Sequence, residues 1–255
     1  MRIEVAGVSH VGMKRNHNED SFLMLPEENL FVVADGMGGH ASGEVASKIA
    51  VTEVTEFFKM TARDQDCTWP FKMDKSRNYD ENRLSTAVKL ANSRIFETSQ
   101  NESKYRGMGT TIVTTHFVNG AAYVGHVGDS RVYRFVHADQ KLQPITEDHS
   151  LLNDYIRAKK LTPEEIENFP HKNVIVRALG MKDTVLVDVS KVEPKENDIF
   201  LLCSDGLSGM ISDEKMTEII LRQPDLDKCA QQMIDAANAA GGNDNVTCVL
   251  AKWHA

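Results

Sequence analysis

The sequence predicts an α+β layered protein. Three observations carry this: short apolar runs bounded by glycine or acid, two close pairs of such runs, and helical stripes that arrive in pairs among them. The runs are LFVVA (30–34), TTIVTTHFV (110–118), AAYVGHV (121–127), RVYRF (131–135), VLVDV (185–189), DIFLLC (198–203) and VTCVLAKW (246–253). Antiparallel hairpins are expected for 110–118 with 121–127 and for 121–127 with 131–135, because neither gap has room for a crossover helix. Ala46, Ile49, Ala50, Val54, Phe57 and Phe58 form one helical stripe, and Leu84, Ala87, Val88, Ala91 and Ile95 a second. A third, through Leu226, Ala230, Met233, Ile234 and Ala237, stops at Gly241-Gly242. Thr162-Pro163-Glu164-Glu165 reads as a cap, a proline at the first helical position and a capping-box acid. Residues 59–82 are polar and predict a long loop, and the charged stretch 147–180 is a candidate insertion. No internal repeat or low-complexity tract interrupts the chain, so residues 1–255 read as one domain.

A chain of 255 residues can bury roughly three-quarters of its unfolded surface, so it needs neither disulfide nor metal merely to fold. Its 29 basic against 37 acidic side chains leave a net charge of −8, which argues against nucleic-acid or anionic-membrane binding by bulk charge. Cys67, Cys203, Cys229 and Cys248 form no CxxC pair and no zinc spacing. The first ten residues lack a charged-then-apolar leader, and the apolar runs are far too short to span a bilayer. A cytoplasmic protein without membrane contact is expected.

The chemistry lies in the carboxylates. Asp35 follows LFVVA and precedes Gly36; Asp129 follows AAYVGHVG; Asp205 follows DIFLLCS and precedes Gly206; Asp244 lies in GGNDNV just before the last strand; Glu19-Asp20 precede another apolar stretch. A carboxylate beside a buried strand is expensive unless paired or bound to a cation. Several of them, flanked by glycines that admit close approach, point to divalent ions. Oxygen donors without His/Cys clusters favour Mg²⁺ or Mn²⁺ over zinc. Competing motifs fit poorly. Gly36-Met37-Gly38-Gly39-His40-Ala41 matches a dinucleotide fingerprint, but Asp35 would face the pyrophosphate. The P-loop spacing from Gly38 to Gly43 carries Glu44 where the lysine belongs. Asp64-Gln65-Asp66-Cys67-Thr68 has the DxDxT order but follows no buried strand, and no cysteine has an arginine six positions on.

RNHNED (15–20), DGMGGH (35–40), GMGTT (107–111), VGDSR (127–131), SDGL (204–207) and GNDNVT (242–247) occur together and in order. In this the chain resembles the metal-dependent serine/threonine protein phosphatases of type 2C, the PPM family, in compact bacterial form, over nearly its whole length. The resemblance implies a four-layer α-β-β-α sandwich, two central antiparallel sheets flanked by helices, with the metals at one end. It implies that Asp35 bridges two Mg²⁺ or Mn²⁺ ions and that the Gly36 carbonyl joins the second. Asp205 and Asp244 would complete the first ion's protein ligands, Glu19 would hold the second, and Asp20 would support the ligands. Asp129 with Asp205 would form a labile third site. Arg15 would grip the substrate phosphate and His40 would protonate the leaving alkoxide.

These roles suit the residue types: arginine's fork fits phosphate oxygens, and a histidine near neutral pKa suits a general acid. The implied substrates are phosphoserine and phosphothreonine proteins, the implied partner a cognate Ser/Thr kinase, and the expected state a monomer. The rival reading is a catalytically silent member that binds phosphoproteins; loss of a metal acid or of Arg15 would mark it, and all those positions are filled. Small-molecule phosphates are a further possible substrate class. Residues 147–180, with Asp148, His149, Arg157, Lys159 and Lys160, are expected to form a flap that selects substrates and influences the third site. His10, His17, His126 and His149 receive no role.

Overall fold

The computed structural model describes residues 1–254 except 39–41, 65–66, 159–160 and 171–173, and for 163 and 167 the backbone alone. In chain order the elements are β1 (Arg2–His10), β2 (Asp20–Leu25), β3 (Leu30–Met37), α1 (Ser42–Arg63), α2 (Tyr79–Asn101), β4 (Gly109–Thr110), β5 (Ile112–Val118), β6 (Ala121–Val127), β7 (Arg131–Val136), β8 (Lys141–Pro144), α3 (Leu151–Arg157), α4 (Pro163–Glu167), β9 (Asp188–Val192), β10 (Ile199–Cys203), α5 (Asp205–Ser208), α6 (Asp213–Arg222), α7 (Leu226–Ala239) and β11 (Val246–His254). One sheet has the order β1-β11-β10-β7-β8, the other β2-β3-β5-β6-β9 with β4 paired to β3. The pairings are antiparallel.

Alternation along the strands builds four layers. Phe31 and Val33 of β3 and Val113 and Phe117 of β5 face Phe200 and Leu202 of β10 and Val249 and Trp253 of β11 in a core between the sheets. The intervening residues Leu30, Val32 and Ala34 turn the other way, onto α1 and α2. Leu201, Cys203, Cys248 and Leu250 likewise meet α6 and α7. β3, β10 and β11 are thus apolar on both faces, as a strand covered on both sides must be. Complete burial of one such Leu, Val or Phe side chain contributes about 1.5–3 kcal/mol.

The three helical stripes are those expected, although Ile49 is only partly buried. α2 begins at an Asn78–Glu81 capping box, α4 at the Thr162–Glu165 box. The segment between α1 and α2 is shorter than the expected 59–82 loop, because α1 runs on to Arg63 and α2 starts at Tyr79.

Two expectations are corrected. β5 and β6 do form a hairpin, over an Asn119-Gly120 turn with φ of 51° and 79°. β6 and β7 do not pair: β6 lies between β5 and β9, whereas β7 lies between β10 and β8 in the other sheet. Gly128 turns the chain across the sandwich with φ of +114°, and a Cβ there would sit 2.6 Å from that of Thr111. The strand expected at 185–189 is displaced to Asp188–Val192, which is the part that pairs with β6. β2 is the apolar stretch that follows Glu19, and β1 and β8 add strands outside the apolar runs. No described helix is long and apolar enough to cross a membrane.

Candidate metal centre

Register brings the acids to one end of the sandwich. Asp20 opens β2 directly opposite Asp35 near the end of β3. Cys203 pairs with Cys248, so Asp205, two residues beyond β10, and Asp244, two residues before β11, leave the second sheet at the same end. His10 pairs with Val246, which delivers residues 11–19, including Arg15 and Glu19, there as well. Asp129 lies on the crossing between β6 and β7.

Hydroxyls and amides knit this end together. Asp20 Oδ2 accepts from Ser204 Oγ at 2.8 Å and from Thr247 Oγ1 at 2.6 Å, so a buried carboxylate of one sheet bridges two strands of the other. Because the Thr247 proton is committed, Ser9 donates to Thr247 at 2.7 Å and in turn accepts from Asn18 at 2.8 Å. Thr111 brackets Asp35: its N–H donates to the Asp35 carbonyl at 2.9 Å, and its Oγ1 accepts the Asp35 N–H at 3.1 Å. Thr111 Oγ1 also meets Ser130 Oγ at 2.6 Å. Asn245 shapes the 11–19 loop by accepting the Glu19 N–H at 2.8 Å and donating to the carbonyls of Val11 and His17, both at 2.9 Å. Gly36 donates its N–H to the Glu19 carbonyl at 3.2 Å, and a Cβ on it would lie 2.1 Å from the Gly43 oxygen.

The charges are severe. Burial first, then Asp20, Asp205, Asp129 and Asp244, push the Asp35 carboxyl well above the usual range. Burial raises Asp20 to about 7, against the two hydroxyls that partly restrain it. Asp129 also reaches about 7, through burial and then Asp205. Asp205 is raised by burial and by Asp244, and Glu19 by burial. Buried oxygens Oδ1 of Asp20, Asp129 and Asp205 have no hydrogen-bond partner among the described residues. A buried carboxylate oxygen without a protein donor, set within a repelling cluster, fits a cation-binding place. The donors are oxygens throughout, which suits a hard ion such as Mg²⁺ or Mn²⁺.

Arg15 stands at the margin, its side chain 52% exposed, with Nη2 2.7 Å from Asp244 Oδ2. That hydrogen bond, before the simple charge attraction, holds its guanidinium further toward the charged form. His40 lies outside the described residues, as do Lys159 and Lys160. A cavity of about 620 Å³ opens beside the acids, lined by Asp129, Arg131, Asp148, Asp205, Asp213 and Asp244. Arg131 grips Asp148 through two bonds of 2.8 and 2.7 Å, which fixes the first turn of the 147–180 segment at the cavity wall.

The structure therefore gathers Asp20, Asp35, Asp129, Asp205 and Asp244 and sets Arg15, Glu19 and Gly36 beside them. Ser204, Thr247, Thr111, Ser130 and Asn245 were not anticipated as site residues. Four of the five stand within the same short motifs as the acids, and Thr111 closes GMGTT, which carries none. A second polar cluster, His126, His149, Asp188 and Arg177, lies behind Gly128, next to Asp129.

A two-sheet sandwich flanked by helices, with an all-oxygen carboxylate cluster at one end, defines a metal-dependent enzyme. Residues 6–253 match the sequence model for protein phosphatase 2C. The serine/threonine phosphatase Stp of Listeria monocytogenes is 35% identical over 249 residues, covering 94% of this chain and 92% of that one. The crystal structure of the Mycobacterium tuberculosis serine/threonine phosphatase PstP/Ppp superposes with a TM-score of 0.85 at 33% identity, covering 100% of both chains. The catalytic domain of PstP in complex with two manganese ions superposes with a TM-score of 0.79 at 33% identity, covering 99% of each. The chain belongs to the protein phosphatase 2C family and is a metal-dependent phosphoprotein phosphatase.

Proposed function

We propose that the enzyme hydrolyses phosphoserine and phosphothreonine in proteins by direct attack of water at a two-cation centre, without a phosphoenzyme. Asp35 would serve both cations, Asp205 and Asp244 would hold one with it, and Glu19 with the Gly36 carbonyl would hold the other. Asp129 and Asp205 offer a weaker third. The observation that carries this reading is the set of buried, partnerless oxygens on Asp20, Asp129 and Asp205 around an Asp35 carboxyl driven up by burial and by its neighbours. Divalent ions held by these residues would supply charge neutralisation for a phosphate monoester and a more acidic water for in-line displacement.

The chain's own groups do the rest. Arg15, at the solvent margin, supplies a planar pair of donors to the non-bridging phosphate oxygens. His40 delivers the proton that the serine or threonine alkoxide needs in order to leave. Asp20, through Ser204 and Thr247, keeps the ends of β10 and β11 in register with β2, and so keeps Asp205 and Asp244 facing Asp35. Residues 1–255 act as one catalytic unit, a reading supported by the pairing of β1 with β11. The 147–180 flap selects substrates at the cavity mouth, and the enzyme works as a cytoplasmic monomer that reverses a Ser/Thr kinase.

Turnover of p-nitrophenyl phosphate and of a phosphothreonine peptide is measured with Mn²⁺ and after complete chelation. Activity on both is expected only with the metal. Undiminished turnover after chelation overturns the reading.

A further inference from the structure

Behind the third cation place lies a histidine whose bonds are unusually committed. The N–H of Gly128 donates to His149 Nδ1 at 3.0 Å, so that nitrogen bears no proton and the ring proton sits on Nε2. Nε2–H points at Asp188 Oδ2, 2.9 Å away. The carbonyl of the same Gly128 accepts the His149 backbone N–H and His126 Nε2–H, each at 2.8 Å. The two rings stack at 4.3 Å. Gly128 is thus gripped at both its polar atoms in a left-handed conformation, immediately before Asp129. Asp129 Oδ1 is buried and meets no donor among the described residues, and the carboxylate is held by its own backbone N–H, which ties its direction to the backbone. His149 also ties the segment that follows it: its carbonyl accepts the Val176 N–H at 2.9 Å, and Leu151 N–H donates to Val174 O at 2.8 Å.

Resting on the third-site reading above, we infer that His149 is a positioning residue for Asp129: Nδ1 holds the Gly128 peptide, Asp188 holds the ring tautomer, and both ends of segment 150–176 are thereby latched to that cation place. His126, His149 and Asp188 offer ligand atoms within 4.8 Å of one another, which invites a metal site instead. Arg177 Nη1, however, lies 3.0 Å from His149 Nε2 and 3.0 Å from Asp188 Oδ1, so a fixed cation already sits between them. The cluster is a support for Asp129 and not a second metal centre.

The test uses the full chain and direct Mn²⁺ titration followed by EPR of the free ion, with turnover measured in parallel. His149→Asn keeps an acceptor at the Nδ1 position, whereas His149→Gln keeps only the partner of Asp188. His149→Gln is expected to weaken the loosest class of bound Mn²⁺ by roughly tenfold to a hundredfold, the range for losing a ligand's outer support, with the tighter ions unaffected. His149→Asn is expected to retain most of that affinity. Asp129→Asn should abolish the loosest class, and adding His149→Gln to it should change neither binding nor turnover further. Wild-type Mn²⁺ binding by His149→Gln, equal damage from Asn and Gln, or additive effects in the double variant each overturn the inference while leaving the third site intact. An Asp129→Asn protein that still binds the loosest class removes that site and the inference with it. Should the Gln variant not fold, ¹⁵N NMR of the wild-type protein decides. A scalar coupling across Gly128 N–H···Nδ1, perturbed as Mg²⁺ fills the loosest class, is expected, and an Nδ1-protonated ring overturns the inference.

Discussion

Asp20 and Asp129 are both carried to about 7, chiefly by burial, yet they are held differently. Both have a buried Oδ1 that meets no donor among the described residues, but Oδ2 of Asp20 takes two hydroxyl donors from the opposite sheet, which suits a structural brace. Thr247→Val removes the closer donor to Asp20, and chemical denaturation of the metal-free protein should register a loss of about 1–3 kcal/mol. Asp205→Asn should separate stability from activity. With Mn²⁺ present, turnover should drop by at least the roughly hundredfold that marks the upper end for a ligand's outer support, since the ligand itself is altered. Without metal, the same variant should melt above the wild type, because one member of a repelling cluster has been neutralised. Wild-type turnover by Asp205→Asn would mean that the ligand assignment is wrong. Asp35, Asp129 and Asp205 were readable from sequence because each stands near a strand end beside glycine. Ser204, Thr247 and Thr111 were not, because a hydroxyl's role depends on which carboxylate folding brings within reach.

At the scale of elements, the inter-sheet core turns on Phe117, whose ring lies 6.0 Å from that of Phe31, 5.0 Å from Phe200 and 5.7 Å from Trp253. Phe117→Ala should cost about 3–5 kcal/mol in the denaturation midpoint, the usual range for emptying such a site. The helices were legible because their stripes repeat with a clean period and end at caps or glycines. Strand existence was legible for the wholly apolar runs, but pairing was not. β6 and β7 are three residues apart, as hairpin strands are, yet the chain crosses to the other sheet at Gly128, whose φ is positive. A strand apolar on both faces carries no alternation that distinguishes one neighbour from another. β1 escaped notice for a related reason: Arg2 and Glu4 interrupt its apolar positions, although Val5 and Ala6 pack against opposite cores.

At the scale of the whole molecule, the carboxylate cluster should dominate pH dependence. Asp20 and Asp129 rise from an ordinary 3.8 to about 7 on folding, so between those values the native state binds more protons than the unfolded one. Stability from these groups is complete below the ordinary carboxylate range and is lost as pH climbs through about 7. The chelated protein should therefore melt higher near pH ~5.5 than near pH ~8, and added Mn²⁺ should raise the melting point more at the higher pH, because ligands must be deprotonated. A chelated protein whose melting point rises over that interval would contradict the cluster's protonation as described. The sandwich as a whole was expected from its resemblance to a family, since the acids mark only where strands end. β11, furthest along the described chain, nevertheless lies inside its sheet between β1 and β10. During synthesis on the ribosome, β2, β3, β5 and β6 can assemble on α1 and α2 early, whereas β1 must wait, unpaired, for residues 246–254. Asp244 and Asn245 stand just ahead of that strand, so a nascent polypeptide cannot strip phosphates from its surroundings until β11 has left the exit tunnel and entered its sheet.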